Sequence, residues 1–244
     1  MALQQVVFPG EDIPRDILPI PSKKKHALKI GAGLQHIPPD RVTSTVAGNL
    51  GIDTRKNAVW VNNDGGRYIP QSGDLIIATV HSSAAEIYQC AITPHTTFAQ
   101  LPQLAFEGAT KKTRPHLVHG SLIYARVNSA SKFIDPDLVC YNPATGKSEG
   151  LGELKDGMVF SVSLGLAKRL LVAKQEQQGG IVLLDELAER VAFEVAIGRN
   201  GKVWIKSSTV KETLIVGNAL RQMDEKGLGI DDQRKLVKKL LKSV

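Results

Sequence analysis

Apolar positions in the first 150 residues come in short runs broken by proline, glycine or polar turns, and helical spacing enters only afterwards. Between residues 27 and 62, valines, threonines and glycine punctuation predict β segments at 27–34, 41–49 and 58–61. Pro38-Pro39, Gly51 and Lys56-Asn57 separate them. No stretch here has the 3.6-residue period of a helix, so the pattern predicts a small antiparallel β domain over residues 1–66, with Asn62-Asn63-Asp64-Gly65-Gly66 as its exit linker. Upstream, Phe8-Pro9-Gly10-Glu11-Asp12 and Pro14, Pro19 and Pro21 cannot propagate a helix, and Lys23-Lys24-Lys25 reads as a solvated loop.

A second unit is expected over residues 67–146. Gly73-Asp74-Leu75-Ile76-Ile77-Ala78-Thr79-Val80 is echoed 47 residues later by Gly120-Ser121-Leu122-Ile123-Tyr124-Ala125-Arg126-Val127, which predicts two similar strands. Further strands are predicted at 87–92, 98–101 and 138–141. Five short strands in about eighty residues is the number an OB-type barrel needs, a fold that binds single strands on one face. The longest stretch without strand character, residues 106–119, holds Gly108-Ala109-Thr110-Lys111-Lys112-Thr113-Arg114-Pro115.

Beyond residue 146 the pattern turns mixed, predicting an α/β unit over 147–244: a strand at 158–162, helices at 164–172 and 182–189, and strands at 191–197 and 203–206. The last two flank Gly198-Arg199-Asn200-Gly201, where Asn-Gly signals a hairpin; both glycines are expected to serve positive φ, with Trp204 packing in a core. Thr209 and Glu212 form a capping box for a helix reaching Met223, and Asp231 or Asp232 is expected to cap a final helix to Leu241. There Leu236, Val237, Leu240 and Leu241 line one side, with Lys235, Lys238, Lys239 and Lys242 on the other. The fold class is therefore multidomain and mainly β with a C-terminal α/β unit.

Composition narrows the chemistry. Hydrophobic residues at 42% and charged residues at 23% suit folded domains rather than wholesale disorder. No apolar window approaches the length of a membrane span, and the first eight residues lack signal-peptide features, so neither a membrane role nor secretion is expected. Cys90 and Cys140 stand fifty positions apart without metal-ligand spacing and read as reduced, buried residues. The formal charge of +7 is concentrated: residues 111–150 carry six bases against three acids and residues 202–244 ten against five, whereas 66–110 and 151–201 are slightly acidic. Lys111, Lys112 and Arg114, with Arg126 on the second of the two similar strands, are the candidate contacts for a single-stranded polyanion. Aromatics at 5% leave little for base stacking, so little sequence preference is expected.

Catalytic signals are weak. GxxxxGK[ST] and HExxH are absent, and Gly31-Ala32-Gly33 lies in a β-rich region where a tight turn explains it. His116 and His119 stand three apart without a carboxylate or cysteine beside them, so neither a metal site nor a cofactor is expected. Asp135 and Asp137 form a DxD that suits turn chemistry; their alternative use is magnesium-dependent hydrolysis of RNA. Gly198-Arg199-Asn200-Gly201 matches the GxxG with which KH modules clamp four nucleotides, but that clamp joins two helices and here strands flank it, so a structural turn is the reading.

The Phe8-Pro9-Gly10 start, the barrel carrying Lys111-Lys112-Thr113-Arg114-Pro115, and Phe193-Glu194-Val195-Ala196-Ile197-Gly198-Arg199-Asn200-Gly201-Lys202-Val203-Trp204 occur together in that order. The chain resembles the cap subunits of the eukaryotic RNA exosome, most closely the component-three family, over nearly its whole length. The resemblance implies an N-terminal β domain, an OB barrel of the ribosomal S1 kind and a KH-like domain. It also implies a subunit without catalysis of its own, seated with other cap subunits on a ring of RNase-PH-like proteins. That subunit would guide RNA 3′ ends towards a separate 3′-to-5′ ribonuclease for degradation and rRNA processing. Lys111, Lys112 and Arg114 would then meet RNA, while Gly198, Asn200 and Gly201 would pack domains. Residence in nucleus and nucleolus, and also in cytoplasm, is implied as well. Gln175 to Gly180 and Lys23 to Lys25 look like loop variation. The competing expectations are the magnesium nuclease and a free-standing translation factor on an OB fold.

Overall fold

The structure, a computed structural model, describes residues 5–19, 27–54, 57–63, 65–94, 96–131, 133–172 and 181–241; Lys23 to Lys25 and Gln175 to Gly180 lie outside these. The chain divides into two compact units, Met1–Gly65 and Gly66–Val244.

In the first unit, β1 (Val6–Val7), β5 (Gly48–Asp53), β6 (Ala58–Asn62) and β2 (Lys29–Ile30) form one sheet in that order, and β3 (Leu34–Ile37) and β4 (Arg41–Ser44) form a hairpin. Val7, Ile13, Val42 and Val61 are its core. Four details differ from the sequence expectation, the first being that the segment 27–34 is divided between β2 and β3 by a turn at Gly33, φ +80°. β2 runs parallel to β6, so the domain is not wholly antiparallel. The segment 41–49 breaks in two, because the hydroxyl of buried Ser44 turns to donate to the carbonyl of Val46 at 2.7 Å. Gly51 is no separator: it sits inside β5 opposite Trp60, whose indole occupies the space a side chain would need.

The second unit begins with a five-stranded barrel of β7 (Leu75–Ser83), β8 (Ile87–Ala91), β9 (Ala99–Pro102), β10 (Leu122–Ser129) and β11 (Asp137–Val139). Pairing runs β7-β8-β9-β11-β10 and back to β7, with only β9 and β11 parallel. The two echoing segments are neighbours, with Thr79 opposite Leu122 and Leu75 opposite Arg126. Period-two alternation sends Ile76, Ala78, Val80, Ile123, Ala125 and Val127 inward, with both cysteines among them. β12 (Gly152–Leu154) adds to β10 and carries the sheet past residue 146.

The α/β part comprises β13 (Met158–Ser161), α1 (Leu164–Leu171), α2 (Leu183–Ala188), β14 (Phe193–Gly198), β15 (Lys202–Ser207), α3 (Val210–Lys226) and α4 (Ile230–Leu241). Its antiparallel sheet has the order β13-β15-β14. Leu166 of α1, Leu183 and Leu187 of α2, Val216 and Leu220 of α3 and Val237 of α4 close over Val203 and Ile205 of β15. The capping box of Thr209 and Glu212 is formed, and α3 runs past Met223 until Gly227, with φ +56°, ends it. Asp231 and Asp232 do not cap α4. They occupy its first turn, where carboxylates favour the positive end of the helix dipole, and the carbonyl of Gly229 accepts the first helical bond from Gln233.

Candidate nucleic-acid interface

The segment 103–121 between β9 and β10 is fixed at both ends and locked in the middle. Leu117 is buried in the barrel core, and the amide of Gly120 donates to Val80 at 2.8 Å. The hydroxyl of buried Tyr88 donates to the carbonyl of Pro115 at 2.8 Å and accepts from the amide of Leu117 at 3.4 Å. Upstream, the amide of Thr110 donates to Thr113 Oγ1 at 3.0 Å, the two hydroxyls lie 2.9 Å apart, and the amide of Arg114 donates to the carbonyl of Thr110 at 2.9 Å. Backbone polar groups of the loop therefore bond to one another instead of to a sheet.

That bonding leaves Lys111, Lys112 and Arg114 exposed around a turn of fixed shape, and among the described residues no ion pair engages them. A backbone held this way forfeits little further freedom when its three cations meet phosphates, leaving the ordering of their side chains as the cost. The base of the loop is braced by Glu107, which accepts the amide of Ser148 at 2.7 Å; this bond holds its carboxyl below the usual range. The cations thus stand on a scaffold that does not need a ligand to order it.

Arg126 is carried by a strand rather than by the loop. It sits on β10 with one guanidinium nitrogen donating to the carbonyl of Gly73 at 3.3 Å, while its Nε is buried without a partner in the structure. Glu149, held below the usual carboxylate range first by Thr145 and Asn142, feels the Arg126 charge as well. The guanidinium is thus held against the backbone of the barrel at Gly73.

Gly198, Asn200 and Gly201 are buried. The three-residue turn between β14 and β15 closes with the amide of Gly201 donating to Gly198 at 3.0 Å, and only Gly201 takes a positive φ, +74°. Gly198 is glycine for a different reason than backbone conformation: a side chain there would crowd Asn200 and come within 2.8 Å of the amide of Ile77. Asn200 itself reaches into the barrel. Its Nδ2 donates to the carbonyls of Ile77 at 2.8 Å and Ile92 at 2.9 Å, and its Oδ1 accepts from the amide of Ile77 at 3.3 Å. β8 pairs with β7 only from Thr79 onward, so the Asn200 amide supplies at Ile77 the bonds a neighbouring strand would have made.

Around this clasp the amide of Arg199 donates to Leu75 at 2.7 Å and the hydroxyl of Tyr124 donates to the carbonyl of Ile197 at 3.1 Å. Ile77, Ala196 and Trp204 form a separate buried cluster flanked by Leu122, Tyr124 and Leu154. Ile77 points out of the barrel yet is fully buried, because the hairpin covers it. The motif is thus sealed between barrel and hairpin, out of reach of a nucleotide backbone. Between α1 and α2, where a KH module carries its clamp, residues 172–182 contain no GxxG.

Asp137 accepts from the hydroxyl of Ser129 at 3.0 Å beside an irregularity in the β10–β11 ladder, and Asp135 is exposed. His116 is exposed, and His119 lies against the backbone of His81. No group of three or more metal-ligating side chains occurs among the described residues. Sequence reasoning missed Tyr88 as the bolt of the cationic loop. A lone tyrosine in a strand reads as core, and its partners Pro115 and Leu117 lie 27 and 29 residues away.

Comparison with known proteins finds three domain families in the same order along the chain: the N-terminal domain of "Exosome complex exonuclease Rrp40" over residues 28–67, the S1 domain of "Exosome complex component RRP40" over 68–152, and a KH domain over 157–211. The exosome complex component rrp40 of Schizosaccharomyces pombe is 36% identical over 97% of this chain and 95% of its own length. The RRP40 component of Drosophila melanogaster is 38% identical over 93% and 92%, and that of Saccharomyces cerevisiae is 32% identical over 85% and 84%.

Proposed function

The chain belongs to the RRP40 family of exosome complex components, and from that premise we propose that it is a non-catalytic, RNA-binding cap subunit of an RNA exosome. It guides single-stranded 3′ ends to a 3′-to-5′ ribonuclease carried by another subunit, for degradation and processing. The observation that carries this reading is the self-locked, exposed loop bearing Lys111, Lys112 and Arg114 on an OB barrel. Each cation that neutralises a phosphate releases a counterion, so binding is electrostatic, tolerant of sequence and sensitive to salt. A ligand that must be passed onward suits such contacts, since none of them recognises a base edge.

The α/β domain supports a scaffolding role. Its GxxG motif is consumed in joining it to the barrel, so the two move as one block that can present the loop at a fixed position. RNase-PH-like ring subunits and the other cap subunits are its protein partners in this reading, and the degrading subunit is reached indirectly. No metal or cofactor is assigned to the chain, and Asp137 is engaged with Ser129 rather than paired with Asp135. Its sites of action are the nucleus, nucleolus and cytoplasm, which imaging of the tagged chain checks.

Size-exclusion chromatography of the folded chain mixed with RNase-PH-like ring proteins tests the assignment. Co-elution as a stoichiometric complex is expected, and the chain alone should leave labelled RNA intact in magnesium. Failure to join the ring, or cleavage by the isolated chain that is lost on substitution of Asp135 and Asp137, would replace this reading.

A further inference from the structure

A second feature of the barrel lies outside the cationic turn. His81 and Phe98 stack with ring centroids 4.4 Å apart and planes 12° from parallel, and His119 meets His81 edge-on at 5.6 Å. His119 Nδ1 donates to the carbonyl of His81 at 2.6 Å, which fixes the ring and leaves its Nε2 as an acceptor in the neutral form. Both histidines are exposed, and Phe98 keeps 39% of its surface open to water despite the stack.

The backbone is shaped to make this cluster. In the β7–β8 ladder Val80 faces Cys90 and Ser82 faces Gln89, so His81 is the extra residue of a bulge. A bulge re-aims a side chain at a cost in regular pairing, and this one presents an imidazole to Phe98 at the entry to β9. His119 arrives on the return limb of the loop that carries the cations. It is five positions from Arg114, so their Cα atoms lie at most roughly 18 Å apart. That distance is about five nucleotides of stacked strand at ~3.4 Å each.

We propose that His81, Phe98 and His119 form a stacking platform for an unpaired base of the RNA strand whose phosphates the loop engages. The bulged His81 and the exposed face of Phe98 extend a two-ring deck by one base, and His119 walls its side. Because every base has a π face, the platform selects no sequence; it distinguishes a strand with bases from a bare polyanion. This inference rests on the RNA-binding reading above.

Equal-length oligoribonucleotides with bases and with abasic residues, titrated against the full chain at fixed salt, test it. The wild-type chain is expected to prefer the base-containing strand by roughly 5- to 150-fold, the range for one base on an aromatic side chain. Phe98→Ala should remove that preference with the salt slope unchanged, and Phe98→Tyr should retain it. Lys111→Ala with Lys112→Ala and Arg114→Ala should lower the slope but keep the preference. Equal binding of both strands by the wild-type chain, or an undiminished preference in folded Phe98→Ala, overturns the platform alone. Binding of neither strand overturns the RNA-binding reading and the platform with it. Cross-linking of the wild-type chain to RNA carrying 5-iodouridine avoids any folding defect: adducts on His81, Phe98 or His119 are expected, and adducts confined to other residues refute the assignment.

Discussion

Replacing Asn200 by alanine should uncouple the α/β domain from the barrel. The side chain is 7% exposed and makes three bonds to main-chain atoms of the barrel. Two of them, at 2.8 and 2.9 Å, satisfy carbonyls of Ile77 and Ile92, and the third, at 3.3 Å, is weaker. A buried carbonyl left without a partner costs about 1–3 kcal/mol, so the truncation, which strands two, should destabilise the second unit by about 2–6 kcal/mol. That is a large share of the 5–15 kcal/mol typical of a folded domain. Urea unfolding followed by circular dichroism and tryptophan emission measures it, with Trp204 at the joint as one of the reporters. The substitution Asn200→Asp sharpens the test. It keeps the acceptor for the Ile77 amide but turns a carboxylate towards two carbonyls, so at neutral pH it should be worse than alanine. Repulsion raises the folded pKa of the introduced carboxyl above its unfolded value, so the deficit should shrink as pH falls and the acid becomes a donor. A loss below 1 kcal/mol for Asn200→Ala, or an Asn200→Asp variant as stable as Asn200→Ala at pH 7, would refute the clasp.

Further outcomes follow from the same structure. Lys111→Ala with Lys112→Ala and Arg114→Ala should lower the slope of log affinity against log salt by about 2, at ~0.7 per single-strand phosphate, with the urea midpoint unchanged; filter binding at several salt concentrations checks this. Cys90 and Cys140 are buried and free, and burial pushes both thiols up to about 12, so an aromatic disulfide reagent at pH 8 should label neither until urea unfolds the barrel. Gly198→Ala should destabilise the joint even though its φ is ordinary, because the added carbon meets Asn200 and the Ile77 amide; thermal melting reads the effect. Hydrogen bonds from Ser207 and Thr209 hold the Glu212 carboxyl below the usual range, so its contribution to α3 is complete above that range and is lost as pH falls through the depressed value. Glu212→Gln should remove that part of the acid limb of the stability curve.

Local signals carried much of the architecture. The repeat of Gly73 to Val80 at Gly120 to Val127 marked two strands that the barrel pairs side by side, since equal alternation places equal faces inward. Asn200-Gly201 marked its hairpin, and Thr209 with Glu212 marked the start of α3, because turn and cap chemistry is decided within four residues. What escaped the sequence was decided by distant partners. Asn200 bonds to Ile77 across 123 residues, so its burial against the barrel could not be read from the four-residue motif. Gly198 and Gly51 are glycines because Asn200 and Trp60 fill the adjoining space, a reason no local pattern carries. Asp231 and Asp232 looked like caps, but Gly229 takes the first bond of α4 and leaves them to the helix dipole. The loop cations were legible as a charge cluster; the threonine bonds and the Tyr88 bolt that give the loop its shape were not.

The rate at which a reconstituted exosome degrades single-stranded RNA, compared between complexes carrying the wild-type chain and the Lys111, Lys112 and Arg114 triple alanine variant, bears most directly on the role of the loop. Unchanged assembly with slower degradation, the gap widening for longer strands and narrowing at higher salt as the three cations are screened, is the predicted result. Equal rates in both complexes across salt concentrations would contradict a guiding role for the barrel.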